Sequence, residues 1–343
     1  MGLEKTLRSR ALALLLHNRR EGVAPWNGEA YSFSCPSRES YPFQWLWDSC
    51  FHAMALSRLG RPDLAAAELR SLLKLAQPNG FIPHIIFWEK ERYPHFFTGE
   101  GAYAVALGNG HWTATTQPPV LAQALLTVYE ASQDLALLRE LLPKVKAFYR
   151  WLQKERDPDD DGLMAILQPD ESGLDSSPKY DLLFRMDELS PLGWWRAMQR
   201  LLTAYAPYRK APHRLFALDL FVWEDVLVNT IYAQGLDALA ALCSLVGEQT
   251  ESREFHTLAQ KAQQALLTKC YDPQRGVFDD LAGLRQQRVK VLTVSSLFPL
   301  ALPSLEHPIA ERLVHEHLTD PQKFWLPYPV PTVAATEPSF DPA

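Results

Sequence analysis

Four carboxylates fall within the short stretch PDESGLDSSPKYD at 169–181. They are Asp170, Glu171, Asp175 and Asp181. A carboxyl group held in a water-poor pocket keeps its proton near neutral pH and can protonate a leaving group as a general acid. Gly173 gives the backbone freedom just before Asp175, and Ser177-Pro178 holds it extended afterwards. From spacing alone Glu171 and Asp175 compete for the role of acid, and a solvated surface turn is the alternative.

A second group of chemically capable residues lies in YPFQWLWDSCFHA at 41–53. Phe43, Trp45 and Trp47 occupy alternating positions, which places their rings on one side of an extended segment. Asp48 stands where a helix begins. Aromatic faces beside a carboxylate form a platform for a sugar, whose hydroxyl groups can donate hydrogen bonds to the carboxylate. The alternative is structural, with Asp48 in the first turn of the helix and the tryptophans in the core.

The segment from 81 to 120 is rich in polar and aromatic side chains. Its histidines, His84, His95 and His111, are spaced unlike known metal ligands, so the sequence predicts no metal site. The glycine-rich part at 99–110 is typical of a mobile flap. Gln117 precedes Pro118-Pro119 at the start of a helix, where its amide can reach a ligand.

The motif DPDDDG at 157–162 begins like a calcium-binding loop. Its twelfth position is Gln168, whereas an EF-hand requires glutamate there. The sequence therefore favours a solvated turn over a calcium site.

Helical periodicity supplies the elements that must position these residues. The predicted helices span 3–20, 47–59, 62–76, 117–131, 134–155, 187–206, 221–246, 250–270, 293–301 and 305–318. Pro143 predicts a break in the fifth helix, with a restart at the proline. Tight links such as 59–63 alternate with long aromatic-rich ones, in which 30–35 and 81–88 are plausible strands. This alternation predicts an all-α fold of stacked helical hairpins, with short β segments in the long loops. Function is then expected on the long loops.

Composition excludes several classes of protein. A formal net charge of −6 with no Lys/Arg-rich face argues against a nucleic-acid partner. The longest apolar run, at 11–16, is too short to span a membrane. The four cysteines show no paired spacing, which is typical of buried reduced thiols in a cytoplasmic protein.

The motifs FQWLWDS and ESGLDSSP together resemble the six-hairpin glycosidases of glycoside hydrolase family 63, most closely the bacterial branch that hydrolyses mannosylglycerate and glucosylglycerate. The resemblance implies an (α/α)6 barrel without a cofactor, acting on a small anionic glycoside. It selects Asp175 as the general acid. The residues that it implies for substrate binding are Tyr41, Trp45, Trp47, Asp48 and Gln117. The implied mechanism is inverting hydrolysis, with a second carboxylate as general base.

The sequence also departs from the family pattern. A six-hairpin barrel has twelve helices, whereas the periodicity predicts ten, so we expect a single domain over 1–343 that lacks its last hairpin. No glutamate matches the family's general base, because Glu337 lies in a proline-rich loop before the expected segment. Arg209, Lys210 and Arg214 are either partners of an anionic leaving group or surface charges. Two other functions stay open: another α-glucosidase or trehalase-like specificity, and a non-catalytic carbohydrate-binding barrel. The sequence is compatible with a homo-oligomer.

Overall fold

A computed structural model describes residues 2–97, 110–181, 191–208 and 214–342. The described chain is mostly helical, with a few short strands. It forms two compact units, one made of 1–151 and 235–255, the other of 152–234 and 256–343. The predicted flap at 99–110 lies, except for Gly110, outside the described residues.

The first unit contains the N-terminal helices and two small sheets. Its elements are α1 (Gly2–His17), β1 (Arg19–Val23), β2 (Ala30–Ser34), β3 (Gln44–Trp45), α2 (Leu46–Arg58), α3 (Pro62–Leu73), β4 (Ile85–Ile86) and α4 (Leu121–Ser132). The long helix α5 (Leu135–Arg156) begins in this unit and ends in the other. Antiparallel pairing joins β1 to β2 and β3 to β4.

The second unit carries most of the remaining elements. They are α6 (Pro191–Tyr205), β5 (Trp223–Glu224), α7 (Val226–Leu245), α8 (Gln249–Ala265), β6 (Tyr271–Asp272), β7 (Val277–Phe278), β8 (Asp280–Ala282), β9 (Gln287–Val289) and α9 (His307–Arg312), of which α7 and α8 are shared with the first unit. A three-stranded sheet has the order β5-β8-β9, and β6 pairs with β7.

Short links between helices follow from turn chemistry. Gly60 ends the α2–α3 link in a left-handed conformation, with φ of 81°, and Pro62 then opens α3, as predicted. Gly247 plays the same part between α7 and α8, with φ of 87°. These links confirm the predicted helical hairpins at α2–α3 and α7–α8.

The predicted break at Pro143 is wrong, because α5 continues through the proline. Pro143 lacks the N–H that would donate to the carbonyl of Arg139. Both residues lie on the exposed face of the helix, so water can solvate that carbonyl. The buried stripe, which includes Leu138, Leu142 and Val145, continues past the proline and stabilises one uninterrupted helix.

Other predicted helices also differ from the structure. The seventh, predicted over 221–246, starts only at Val226, because Trp223 and Glu224 form β5. The first stops at His17, because the next residues pair as β1 with β2. The fourth starts at Leu121, since Pro118 and Pro119 keep Gln117 outside the helix. The last two are a 3₁₀ helix at Val294–Ala301 and the short α9 followed by a π-helical turn. Of the two predicted strands, 30–35 is confirmed by β2, and only Ile85–Ile86 of 81–88 is a strand.

Helix α7 is long and apolar enough to cross a bilayer, with a mean hydropathy of 1.4. However, 83% of that stretch is buried inside the protein, as in the core helix of a globular fold. The four cysteines are also buried and form no disulfide.

Gly80 provides a test of the packing in the first unit. It adopts φ of 97°, and a Cβ at this position would overlap the carbonyl oxygen of Ala147 on α5. We expect Gly80→Ala to lower the free energy of unfolding by about 3 kcal/mol or more, as steric changes at strained positions do. Gly247→Ala is the matched control. Its φ of 87° is similar, but no atom lies within 4 Å of the added Cβ, so we expect a loss of about 1 kcal/mol. Equal losses in urea titrations of the two variants would contradict this account.

Candidate functional site

The loop at 169–181 consists of two short 3₁₀ turns with Asp175 between them. The first turn is Pro169–Ser172 and the second is Pro178–Tyr180. Gly173 reverses the chain with φ of 73°, a conformation that a side chain would strain. The hydroxyl of Ser172 accepts the N–H of Leu174 at 2.9 Å and so fixes the approach to Asp175. The loop is therefore ordered by its own backbone geometry.

Glu171 anchors the first turn through a buried ion pair. Its carboxylate receives Nη1 and Nη2 of Arg156, from the end of α5, at 2.9 and 2.5 Å. It also accepts the N–H of Leu167 at 2.8 Å. Both partners of the ion pair are almost fully buried. Since both of its oxygens are held in this way, Glu171 has a structural role. The surroundings of Glu171 and Asp175 therefore differ, although sequence spacing alone could not choose between them as the acid.

Lys179 anchors the second turn. Its ammonium lies 2.6 Å from Asp225, 2.8 Å from Asp280 and 3.0 Å from the hydroxyl of Ser295. Burial lowers the pKa of Lys179, but the charges of the two aspartates more than offset it, so the pKa is raised. The neighbouring Tyr180 also donates to Asp225, at 2.8 Å. The ion cluster thus fixes the loop to Asp225, directly after β5, and to Asp280 on β8.

Asp175 lines a cavity of about 720 Å³ within the second unit. The other lining residues are Gly173, Leu174, Ser176, Ser177, Pro178, Asp181, Trp194, Pro331, Thr332, Val333, Ser339, Phe340 and Asp341. Asp175 is accessible from this space, so a ligand can reach it. Desolvation by the cavity walls nevertheless raises the pKa of Asp175 to about 6. A proton donor that works near neutral pH needs this combination of access and raised pKa.

Sequence reasoning missed the cavity residues that lie far from the loop along the chain. Trp194 comes from α6, and the segment 331–341 closes another side of the cavity. No local pattern links these positions to Asp175, because their proximity depends on the tertiary fold.

The predicted sugar platform lies in the first unit. Tyr41 is half exposed and packs edge-on against Trp45, with ring centroids 5.6 Å apart. Trp45 in turn packs against the ring of His84 at 5.0 Å. Trp47 and Asp48 follow in the first turn of α2, and both remain partly exposed. The structure therefore presents aromatic surface and a carboxylate side by side at the start of this helix.

Gln117 belongs to the same group. Its side-chain oxygen accepts the backbone N–H of Trp47 at 3.0 Å, so this buried residue fixes the beginning of α2. The preceding strand is held by Gln44, which receives the indole N–H of Trp88 at 2.7 Å and donates to Ser49 at 3.1 Å. The structure thus brings the five predicted binding residues together in one unit, whereas Asp175 belongs to the other.

The acidic loop at 157–162 was predicted to be a solvated turn. The carboxylates of Asp157, Asp159 and Asp161 lie within 4.8 Å of one another. Asp157 accepts the backbone N–H groups of Asp161 and Gly162, both at 3.0 Å. Asp161 forms an ion pair with Lys269, which offsets part of the negative charge of the cluster.

The sequence offered three basic residues as possible partners of an anionic leaving group. Arg209 and Lys210 lie outside the described residues. Arg214 is exposed.

The family of the chain follows from comparison with known proteins. Residues 41–343 match the mannosylglycerate hydrolase MGH1-like glycoside hydrolase domain. The chain belongs to this family. The predicted resemblance is confirmed.

Two curated relatives extend this finding. Mannosylglycerate hydrolase MGH1 from Selaginella moellendorffii is 29% identical over 291 residues, which cover 78% of this chain and 59% of that protein. Mannosylglycerate hydrolase from Thermus thermophilus is 28% identical over 337 residues, 91% of this chain and 79% of that protein. The chain thus spans less than two thirds of the Selaginella relative.

A solved structure shows the same fold. The glycoside hydrolase family 63 mannosylglycerate hydrolase from Thermus thermophilus, in complex with Tris and D-glycerate, matches with a TM-score of 0.83 at 28% identity. The match covers 98% of this chain and 82% of that chain.

The buried ion pair of the 169–181 loop can be tested by stability. Glu171→Gln leaves Arg156 as an uncompensated buried charge, so we expect a loss of about 3–5 kcal/mol in the free energy of unfolding. Glu140→Gln is the control. It changes a similarly bidentate pair with Arg70, but both side chains there are more than 40% exposed, and we expect less than about 1 kcal/mol. Comparable losses for the two variants in chemical unfolding would refute the structural part of Glu171.

Proposed function

We propose that this chain is an inverting α-glycosidase that hydrolyses mannosylglycerate or glucosylglycerate to the free sugar and glycerate. The observation that carries the proposal is Asp175, a reachable carboxyl with its pKa raised to about 6, in the cavity of a chain of this family. The names of the curated relatives support the substrate class. The proposal takes 1–343 as one catalytic (α/α)6 domain of a cytoplasmic protein.

Asp175 is the general acid in this mechanism. Its carboxyl gives a proton to the glycosidic oxygen as the bond to the anomeric carbon breaks, and glycerate leaves as an alcohol. A water attacks the opposite face of the sugar and loses its proton to a second carboxylate, about 6.5–9.5 Å from the acid in inverting enzymes. Glu337 is not assigned as that base, because it does not match the family pattern; one of its carboxylate oxygens accepts the backbone N–H of Leu292 at 3.0 Å.

The sugar binds against the aromatic platform. The rings of Tyr41, Trp45 and Trp47 contact the C–H faces of the sugar, and Asp48 accepts hydrogen bonds from its hydroxyl groups. Gln117 acts by holding the start of α2, since its oxygen is occupied by the N–H of Trp47. In this proposal Gln117 therefore orients Trp47 and Asp48, and its amide nitrogen is the part that can contact the substrate.

The acidic lining of the cavity makes a neutral substrate the second candidate. The charged side chains that line the cavity within the described residues are all acidic, namely Asp175, Asp181 and Asp341. Such a lining disfavours an anionic leaving group, unless a cation from another part of the protein faces it. A trehalase-like or α-glucosidase specificity would avoid this repulsion.

A substrate panel separates the two candidates. We expect mannosylglycerate or glucosylglycerate to be hydrolysed with a larger kcat/KM than trehalose, maltose or methyl α-glucoside. Released hexose and glycerate are measured by chromatography. Faster release of glucose from a neutral disaccharide would favour the second candidate, and no release from any member would contradict both.

The acid can be tested by its dependence on the leaving group. We expect Asp175→Asn to lower kcat for the glycerate glycoside by about 10²–10⁴-fold, the usual contribution of a general acid. Hydrolysis of the corresponding α-glycosyl fluoride should fall much less, because fluoride leaves without protonation. Wild-type activity should decline as the pH rises through about 6, where Asp175 loses its proton.

Two results would contradict this role of Asp175. One is wild-type turnover of the glycerate glycoside by the variant, and the other is an equal loss on both substrates. Asp160→Asn, which alters an exposed acid on another loop, serves as the control and should behave like the wild type.

The platform can be tested by binding. We expect Trp45→Ala to weaken the binding of the free sugar by about tenfold, or roughly 1.4 kcal/mol. Calorimetric titration of the purified variant gives the dissociation constant. An unchanged constant in a variant with wild-type thermal stability would remove Trp45 from the sugar subsite.

A further inference from the structure

Glu68 is a buried carboxyl on α3 that the proposed mechanism does not use. Its side chain is fully enclosed by the protein, and each of its two oxygens accepts a different donor. Oε2 receives the backbone N–H of Ser34, the last residue of β2, at 2.7 Å. Oε1 receives the hydroxyl of Ser49, on α2, at 2.8 Å. This one side chain therefore connects three elements of the first unit.

A series of hydrogen bonds continues from Ser49 to Trp88. The amide nitrogen of Gln44 donates to the hydroxyl of Ser49 at 3.1 Å and to the backbone carbonyl of Glu68 at 3.2 Å. The indole N–H of Trp88 donates to the amide oxygen of Gln44 at 2.7 Å. Because an indole N–H only donates and a backbone carbonyl only accepts, the Gln44 amide has one possible orientation. We call these four buried residues, Trp88, Gln44, Ser49 and Glu68, the Glu68 chain.

The Glu68 chain brackets the predicted sugar platform in the sequence. Gln44 directly precedes Trp45, and Ser49 directly follows Asp48. Trp45 occupies the N-cap position of α2, where an indole cannot accept the N–H groups of the first helical turn. The corner between β3 and α2 is instead fastened to α3 through Gln44 and Ser49.

The link between Ser49 and Glu68 does not require a particular charge on Glu68. Burial raises the pKa of Glu68 to about 8, whereas its two hydrogen bonds and the charge of Arg19 act in the opposite direction. The ionised form accepts the hydroxyl of Ser49, and the neutral form can donate its O–H to the same hydroxyl oxygen. The connection from α3 to the platform is thus kept in either form.

We propose that Glu68 is a positioning residue of the sugar subsite, which acts through Ser49 and Gln44 to fix Trp45 and Asp48. This inference rests on the proposed function, in which Trp45 and Asp48 bind the sugar. Glu68 itself touches no substrate, since the protein encloses it. Without the Glu68 chain the corner between β3 and α2 is free to shift, and ordering it costs part of the binding free energy of the sugar.

Variants that break or keep the Glu68 chain should differ in their affinity for the free sugar. We expect Ser49→Ala and Glu68→Met to raise the dissociation constant about fivefold, the scale set by one lost hydrogen bond. Methionine fills a similar volume but accepts hydrogen bonds only weakly. Glu68→Gln should bind like the wild type, because its amide can accept the N–H of Ser34 and donate to Ser49. Calorimetric titration gives the four constants.

Ser71→Ala is the matched control. Ser71, also buried on α3, accepts the backbone N–H of Ser32 on β2 at 3.1 Å, and this bond lies outside the Glu68 chain. The variant should keep the wild-type constant. A wild-type constant for both Ser49→Ala and Glu68→Met would overturn the proposal, and so would binding by Glu68→Gln as weak as that of Glu68→Met. If Glu68→Met fails to fold, Ser49→Ala decides the outcome.

The indole N–H of Trp88 reports on the Glu68 chain without any sugar. In ¹⁵N-labelled protein its resonance, assigned with Trp88→Phe, should shift in Ser49→Ala and in Glu68→Met, because each hydrogen bond polarises the next. It should stay unchanged in Ser71→Ala. An unshifted resonance in both chain variants would contradict the proposal. If the wild type binds no sugar, the proposed function fails, whereas this resonance still decides whether the Glu68 chain exists.

Discussion

The buried ion pairs at the two ends of the 169–181 loop determine where Asp175 can be. At one end Arg156 donates to both oxygens of Glu171. At the other end the ammonium of Lys179 lies between Asp225 and Asp280 of β8. Each pair removes a flexible charged side chain from water, which is expensive unless the geometry is close to ideal. The saturated hydrogen bonding of both groups meets that requirement. The acid between them therefore sits on a segment that is fixed at both ends.

Desolvation has opposite consequences for paired and unpaired acids of this loop. Glu171, held by Arg156, can remain charged in the interior because its partner replaces the lost hydration. Asp175 and Asp170 receive no such cation from the described part of the chain, and desolvation raises their pKa values to about 6 and about 7. One loop thus contains a carboxylate that stabilises the fold and carboxyls that hold protons. The distribution of two cations, Arg156 and Lys179, decides which acid has which role.

Local sequence patterns predicted the helical hairpins, but they did not predict which residues pair with the buried charged groups. Helical periodicity and turn residues such as Gly60 found the hairpins, because these signals act over a few residues. The alternation of Phe43, Trp45 and Trp47 predicted one extended aromatic face, which is wrong, because Trp47 lies in α2 and Phe43 is buried against Ile85 and Phe87. Lys179 meets Asp280 across about a hundred residues, and Trp194 reaches the cavity from another helix. Contacts of that kind depend on how the elements pack. The sequence did not predict that α5 continues through Pro143, for the same reason. Packing of the buried apolar stripe stabilises the helix by more than the proline destabilises it.

Charged anchors have one advantage over apolar ones in this position. Hydrophobic side chains of similar volume can stabilise a segment equally well, but they specify its orientation weakly because their contacts have no direction. The planar guanidinium of Arg156 can donate to both oxygens of Glu171 in only one plane, and the ammonium of Lys179 must satisfy three oxygens at once. A shift of the loop by a fraction of an ångström would leave one of these groups underbonded in the interior. The direction of Asp175 into the cavity is therefore maintained by the cost of unpairing buried charges, and an apolar anchor would not impose that cost.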